Sequence, residues 1–213
     1  GNYFINNNAS YGGAIYVNNG GKLIITSVFL NNSALNGSAI YSVGDMLNVR
    51  SSSFAAPKYN QTNNKLVGYI YSAGNVTFDN VTLSFTDLDS LIKNQTSGST
   101  VDLEFNYFYF NDYDGDFVDG VVINKTLVID GNGFTLDGNN SVRVFNISSS
   151  VELRDLIIVN GNHTFGGAIY STGDLKLNNV TFKNNRAVKG SAIYVVKSKN
   201  TWNDLTFEGN IAG

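Results

Sequence analysis

Apolar and polar residues alternate through short stretches that recur along the chain. Leu23 and Ile25 lead up to Phe29, and Leu175, Leu177 and Val180 lead up to Phe182. A period of two marks strands with one buried face. Each such strand ends near a phenylalanine and runs into an asparagine-rich bend. The bends are Phe4-Ile5-Asn6-Asn7, Phe29-Leu30-Asn31-Asn32, Phe182-Lys183-Asn184-Asn185 and Phe207-Glu208-Gly209-Asn210. A small-residue stretch ending in Ile-Tyr follows the first three. It reads Gly12-Gly13-Ala14-Ile15-Tyr16, Gly37-Ser38-Ala39-Ile40-Tyr41 and Gly190-Ser191-Ala192-Ile193-Tyr194, with a further copy at Gly166-Gly167-Ala168-Ile169-Tyr170. Phe and Tyr lie 12 residues apart in every complete unit, and Ile15 and Ile40 lie 25 apart.

A repeat of about 25 residues with two or three short strands and no helical segment predicts an all-β fold, a right-handed parallel β-helix. A propeller blade would need about 40 residues and four strands. Coils of such a solenoid stack about 4.8 Å apart, so equivalent side chains form ladders. Phe29 and the isoleucines are expected inside. The asparagines are expected at left-handed bends, each amide pairing with its equivalent one coil away.

The pattern changes twice. Between residues 45 and 83 the asparagine bend gives way to Ala55-Ala56-Pro57, residues 57–65 read as a loop insertion, and Ile70-Tyr71 restores the repeat. Leu88, Leu91 and Ile92 then take helical spacing, with Ser84 or Thr86 as N-cap. This predicts a short capping helix near residues 86–94, ended by Gly98. The expected division is residues 1–83, the last coils of one β-helix, and 84–213, a cap and the first coils of a second. Asp130-Gly131-Asn132-Gly133 and Asp137-Gly138-Asn139-Asn140 read as tight turns. The chain starts and stops inside the repeat, so it reads as a piece of a longer protein.

Composition sharpens this picture. There are 32 asparagines and 22 glycines but one proline, so the turns are built from Gly and Asn. The absence of cysteine excludes disulfides and thiolate metal sites. A net charge of −3 argues against nucleic acid as partner. No apolar run of about 18 residues is present, so no membrane-spanning helix is expected.

Four features carry candidate chemistry. Asp112, Asp114, Asp116 and Asp119 form the densest acidic cluster, and their oxygens suit calcium, the one candidate ion. The spacing is not that of an EF-hand, which would need Gly and Glu where Phe117 and Ile123 stand. Tyr16, Tyr41, Tyr170 and Tyr194 flank inward isoleucines, so they point outward, either to stack on glycans or to pack across coils. Tyr107, Phe108, Tyr109 and Phe110 are expected to pack the cap. Among many Asn-x-Ser/Thr sequons, Asn60 and Asn94 lie in loop-like stretches and are the candidate N-glycosylation sites. His163, the single histidine, is expected in an exposed loop. Asp130 and Asp137 read as turn residues, and Asp155 and Asp174 as strand-edge residues without an acidic neighbour. No catalytic pair is therefore expected.

The Phe-x-x-Asn and Gly-Gly-Ala-Ile pair resembles the repeat of chlamydial polymorphic outer-membrane proteins. The stretch from Phe85 to Asn185 resembles large adhesin-like surface proteins of methanogenic archaea. The residues behind this second likeness are the short helix, Val122-Ile123-Asn124-Lys125, Ile129-Asp130-Gly131-Asn132-Gly133 and Phe145-Asn146-Ile147. Both resemblances imply a right-handed β-helix displayed outside the cell, binding a host, microbial or glycan partner. The expected function is a non-enzymatic stalk and adhesion module without cofactor. The alternative is a carbohydrate-active β-helix enzyme, a polysaccharide lyase or hydrolase.

Overall fold

The computed structural model describes residues 1–19, 21–56, 64–196 and 199–213. They form a parallel β-solenoid of about eight turns with a single α-helix. The chain divides into two compact units, Gly1–Leu83 and Ser84–Gly213.

In the first unit, strands Asn2–Ile5, Ser27–Leu30 and Ser53–Ala55 pair in parallel, with Phe4, Phe29 and Phe54 in register. Strands Ile15–Val17, Ile40–Ser42 and Ile70–Ser72 form a second face, with Ile15, Ile40 and Ile70 in register. Lys22–Ile25, Met46–Arg50 and Asn75–Asp79 form a third. The irregular coil therefore keeps the ladder positions; of the expected insertion, residues 57–63 lie outside the described residues, and Asn64–Lys65 form a short strand antiparallel to Ile70–Ser72. The phenylalanine rings stack at 5.0 Å, tilted by only 8° and 4°. Burying Phe29 and Phe54 stabilises the coil by about 1.5–3 kcal/mol each.

The asparagines divide into two roles. Asn6, Asn31 and Asn184 take left-handed backbone angles, with φ of 58°, 51° and 55°. Asn31 Nδ2 also donates to Asn6 Oδ1 at 2.8 Å. After Asn31 and Asn184 the next residue, Asn32 and Asn185, is turned inward. Asn32 Nδ2 donates to the Phe4 carbonyl at 2.8 Å, and its Oδ1 accepts from the Asn7 backbone at 3.0 Å. Asn185, fully buried in the second unit, repeats this. Its Oδ1 accepts from Gly161 N at 2.7 Å, and its Nδ2 donates to Ile158 O at 3.1 Å and to Asn210 Oδ1 at 2.9 Å. The amide supplies the bend with the donor and acceptor that a neighbouring strand would otherwise give. Asn185→Ala is therefore expected to lower stability by about 2–4 kcal/mol in urea unfolding, because it strands buried backbone groups. An effect as small as that of Asn124→Ala, at an exposed position, would refute this role.

The second unit opens with the helix Phe85–Lys93. Ser84 is its N-cap, with Asp87 closing a reciprocal capping box. The helix stops at Asn94, short of Gly98, where the Asn94 N–H bonds back to Ser90 and Ile92. Lys125 Nζ holds the carbonyls of Lys93 and Gln95, each at 2.9 Å, a cation placed at the negative end of the helix. Phe85, Leu88 and Ile92 are buried. The helix lies on the strands Asn106–Phe108 and Val121–Ile123 of this unit's first coil. Tyr107 and Tyr109 are buried there, with Tyr109 edge-on to Phe85 at 5.8 Å.

Beyond the cap, the long strands Val151–Val159, Leu175–Lys183 and Asn200–Glu208 pair in parallel. Two shorter strands of the previous coil, Leu127–Asp130 and Thr135–Asp137, both pair with Val151–Val159. The expected turn at Asp130 is thus followed one coil later by a bend inside a continuous strand. Asp155 is the residue that bends it, with φ 51°; Asn179 and Asp204 repeat the bend at 52° and 51°. Asp155 is therefore a mid-strand bend residue, not a strand-edge one. Leu136, Ile158, Phe182 and Phe207 form one ladder of this unit, and Val121, Phe145, Ile169 and Ile193 another.

Candidate functional site

The inward isoleucines fix what their neighbours do. On strands Ile15–Val17, Ile40–Ser42 and Ile70–Ser72 the residue after each buried or half-buried Ile is a tyrosine, and alternation turns it outward. Tyr16 and Tyr41 stack at 5.2 Å and 14°, and Tyr41 and Tyr71 at 4.4 Å and 6°. Tyr11, from the strand Asn8–Tyr11, meets Tyr41 edge-on at 5.0 Å. Tyr16 is 55% exposed, and Tyr41 and Tyr71 are half-buried. Desolvation in the stack, then the neighbouring phenols of Tyr71, Tyr16 and Tyr11, push the Tyr41 hydroxyl above its ordinary value, so it remains a donor at neutral pH. Tyr71 and Tyr11 were not singled out from sequence. Ile70-Tyr71 carries the same dipeptide signal, whereas Tyr11 joins only through folding.

The second unit has its own strip. Tyr170 and Tyr194 are in register and stack at 5.8 Å and 5°. Phe165 packs on Tyr194 at 5.1 Å, and the Lys189 ammonium lies 5.9 Å over the Phe165 ring. At the other end the Arg143 guanidinium lies 4.9 Å over Tyr170. Arg143 is buried, and burial pushes its pKa down while the Asp119 carboxylate pulls it up.

His163 is not a loop residue. It sits on the strand Asn162–Phe165, its ring between Arg143 and Asp119. A guanidinium can only donate, so Nδ1 must accept from Arg143, leaving Nε2–H to donate to Asp119 Oδ1 at 3.0 Å. Arg143 Nε completes the arrangement by donating to the Gly166 carbonyl at 3.2 Å.

The structure does not gather the four aspartates. Asp112 and Asp116 are exposed, Asp119 is engaged by His163, and Asp114 is fully buried. Asp114 Oδ2 accepts from the backbone of Phe85 at 3.1 Å and Phe110 at 3.0 Å, and Oδ1 from Thr86 N at 2.9 Å and Thr86 Oγ1 at 2.7 Å. Burial pushes this carboxyl up, against the pull of these hydrogen bonds. Asp114 thus clamps the start of the helix. Among the described residues, no group of three or more His, Asp or Glu is placed to hold a metal ion.

Asp130 and Asp155 line one shallow groove of about 460 Å³ with Asn132, Asn179 and Thr181. Each carboxylate has a partner: Asp130 binds Arg154 Nε at 2.8 Å, and Asp155 accepts from Asn179 Nδ2 at 2.7 Å. Asp137 accepts from Asn139 N at 2.8 Å, as a turn residue does. Asn94, the helix C-cap, is exposed, and Asn60 lies outside the described residues.

Stacked parallel coils with internal Phe, Ile and Asn ladders define the class: a β-solenoid repeat protein. Residues 179–196 match the Chlamydia polymorphic membrane protein (Chlamydia_PMP) repeat, a stretch that includes the Asn184-Asn185 bend and Gly190-Ser191-Ala192-Ile193-Tyr194. This short match suggests a surface or outer-membrane protein. No curated protein and no solved structure matches the chain significantly. The resemblance to adhesin-like proteins of methanogenic archaea gains no support from these comparisons. Among the described residues, no helix is long and apolar enough to cross a membrane.

Proposed function

We propose that this chain is a non-enzymatic module of a surface protein, a rigid stalk whose outward tyrosine ladders bind glycans. One observation carries the reading: Tyr11, Tyr16, Tyr41 and Tyr71 make a continuous aromatic platform on the outside of a coil whose core is already filled. The apolar C–H face of a sugar ring packs on the exposed Tyr16 ring and along the ring edges of the row, and the phenol hydroxyls serve the sugar hydroxyls. The ladder spacing is set by the coil repeat, and Tyr41 is already stacked on both faces by Tyr16 and Tyr71, so the row of ring edges and hydroxyls is fixed without ligand and binding orders few side chains. The short family match supports display at a surface.

The test is a glycan array with the intact chain and with Tyr16→Ala. Tyr16 is 55% exposed, so the substitution is expected to change stability by less than about 1 kcal/mol. It is expected to weaken binding to the array's best ligand at least tenfold, since a stacked ring contributes about 1–3 kcal/mol. Unchanged binding in Tyr16→Ala would remove the platform from the reading. The enzymatic alternative draws on the groove that holds Asp130 and Asp155. Release of reducing or unsaturated ends from a polysaccharide would establish it instead.

A further inference from the structure

The strip in the second unit differs from the ladder in the first, and the difference is charge. We propose that this strip, Phe165, Tyr194 and Tyr170 with Lys189 and Arg186, binds a saccharide carrying carboxylates. The inference rests on the reading of the tyrosine ladders as glycan platforms and concerns the second unit alone.

The cations of this unit have unequal fates. Lys93, Arg154, Lys176 and Lys183 each have a carboxylate within 3.0 Å. Arg186 and Lys189 are exposed, and neither has an ion-pair partner among the described residues. Both stand on the strand Arg186–Lys189, which pairs in register with Asn162–Phe165, so that Arg186 lies beside Asn162 and Lys189 beside Phe165. Lys189 already leans over the Phe165 ring, and Phe165 packs on Tyr194. Arg186 lines a shallow hollow of about 390 Å³ with Ser141, Asn162, His163 and Thr164. Gly213, the last residue of the sequence, also lines it, and no Asp or Glu does. The His163 ring, which lines it, donates to the Asp119 carboxylate.

A pyranose resting against the outer edges of Phe165 and Tyr194 would bring a substituent to the Lys189 ammonium, with Arg186 three residues along the same strand. A carboxylate there gains charge-assisted hydrogen bonds from a guanidinium and an ammonium, and Thr164 and Ser141 offer hydroxyls to the neighbouring sugar. The buried Arg143 adds positive charge beneath Tyr170 at the far end of the strip. No cation is seen over the tyrosine rings of the first unit among the described residues, so that ladder offers nothing for an acidic group.

Calorimetric titration of the full chain with oligogalacturonate, and with the same oligomer fully methyl-esterified, tests this. The two ligands share their rings and differ in charge. The acid form is expected to bind at least tenfold more tightly at low ionic strength, an advantage that shrinks in 0.3 M salt. Lys189→Met keeps the methylenes over Phe165, and Arg186→Gln keeps a polar side chain at the hollow. Together they are expected to reduce the acid preference at least threefold with no change in melting temperature. Lys22→Met, which removes an exposed cation of the first unit outside both strips, is expected to leave it unchanged. Equal affinity for acid and ester, no binding of either, or an acid preference that survives the double variant would each overturn the proposal. So would polyglutamate binding as tightly as oligogalacturonate, which would show charge recognition without a sugar. Neutral-glycan binding that persists without acid preference overturns this inference alone, whereas loss of all glycan binding also overturns the adhesion reading.

Discussion

Asp114→Asn is expected to destabilise the second unit by about 3–5 kcal/mol, although it removes one atom's worth of difference. Asp114 is fully buried and faces four donors: three backbone N–H groups, from Phe85, Thr86 and Phe110, and the Thr86 hydroxyl. A carboxylate answers them with two oxygens and accepts everywhere. An asparagine has one oxygen; turned to Phe85 and Phe110, it points its NH2 at Thr86, whose hydroxyl can rotate to accept but whose backbone N–H is left buried without an acceptor. The negative charge is also lost from the N-terminal end of the helix Phe85–Lys93, where it is favourable. Breaking such a buried charged arrangement is among the few changes that exceed about 3 kcal/mol. For a chain of this size that corresponds to a fall of roughly 10 °C in melting temperature. Asp112→Asn and Asp116→Asn, at exposed positions, are expected to stay within about 0.5 kcal/mol. Thermal and urea unfolding of the three variants decide the matter. If Asp114→Asn were as mild as the other two, the clamp would have no energetic weight.

That contrast shows where reading the sequence stops. The acidic run Asn111 to Asp116 has the composition of a cation loop, and composition cannot say which carboxylate turns inward. Asp114 does so because residues 85, 86 and 110 converge on it, and the first two lie 29 and 28 positions away in sequence. The ladders are the opposite case. Phe4 over Phe29 and Ile15 over Ile40 follow from a constant period, because a solenoid turns sequence separation directly into spatial adjacency. The capping helix was equally local: Ser84 and Asp87 form its box three residues apart. His163 and Arg143 were hidden for the same reason as Asp114. They lie on successive coils, but at positions where no repeated residue type advertises the contact. Of the binding surface, Tyr16, Tyr41, Tyr170 and Tyr194 were legible because they repeat. Lys189, Arg186 and Phe165 were not, because each occurs once at its position in the coil.

The same separation explains the division of labour in each coil. Residues that point inward, such as Phe29, Ile40 and Asn185, are committed by packing or by hydrogen bonds to the coils on either side. Outward positions carry no such commitment, so they can differ between coils without loss of the fold. The first unit places tyrosines there and the second adds cations. Surface chemistry in a solenoid is thus set coil by coil on a common core.

Gly166→Ala is expected to cost far more than a methyl group added at a glycine in open space. Gly166 has φ +62°, and a Cβ built on it would lie 2.0 Å from the Ile169 carbonyl oxygen and 2.7 Å from its carbon. Those are backbone atoms, so no rotamer change relieves the overlap. Nor can the backbone yield locally. Gly166 N is bonded to Lys189 O at 3.0 Å, and Ile169 is held in register between Phe145 and Ile193. The coil must open, and Tyr170, one residue beyond Ile169, moves with it. The expected loss exceeds about 4 kcal/mol, of which the left-handed angle itself accounts for only about 1–2 kcal/mol. Gly133 separates the two contributions. Its φ is +78°, yet nothing lies within 4 Å of its Cβ position, so Gly133→Ala should show the conformational cost alone. Gly12 and Gly37 repeat the geometry in the first unit, with φ +57° and +59° and the same 2.0 Å overlap on Ile15 and Ile40. Urea unfolding of Gly166→Ala and Gly37→Ala against Gly133→Ala is the measurement. Equal losses at all three would mean that backbone angle, not the closeness of the following Ile carbonyl, fixes glycine at the start of each Ile-Tyr strand.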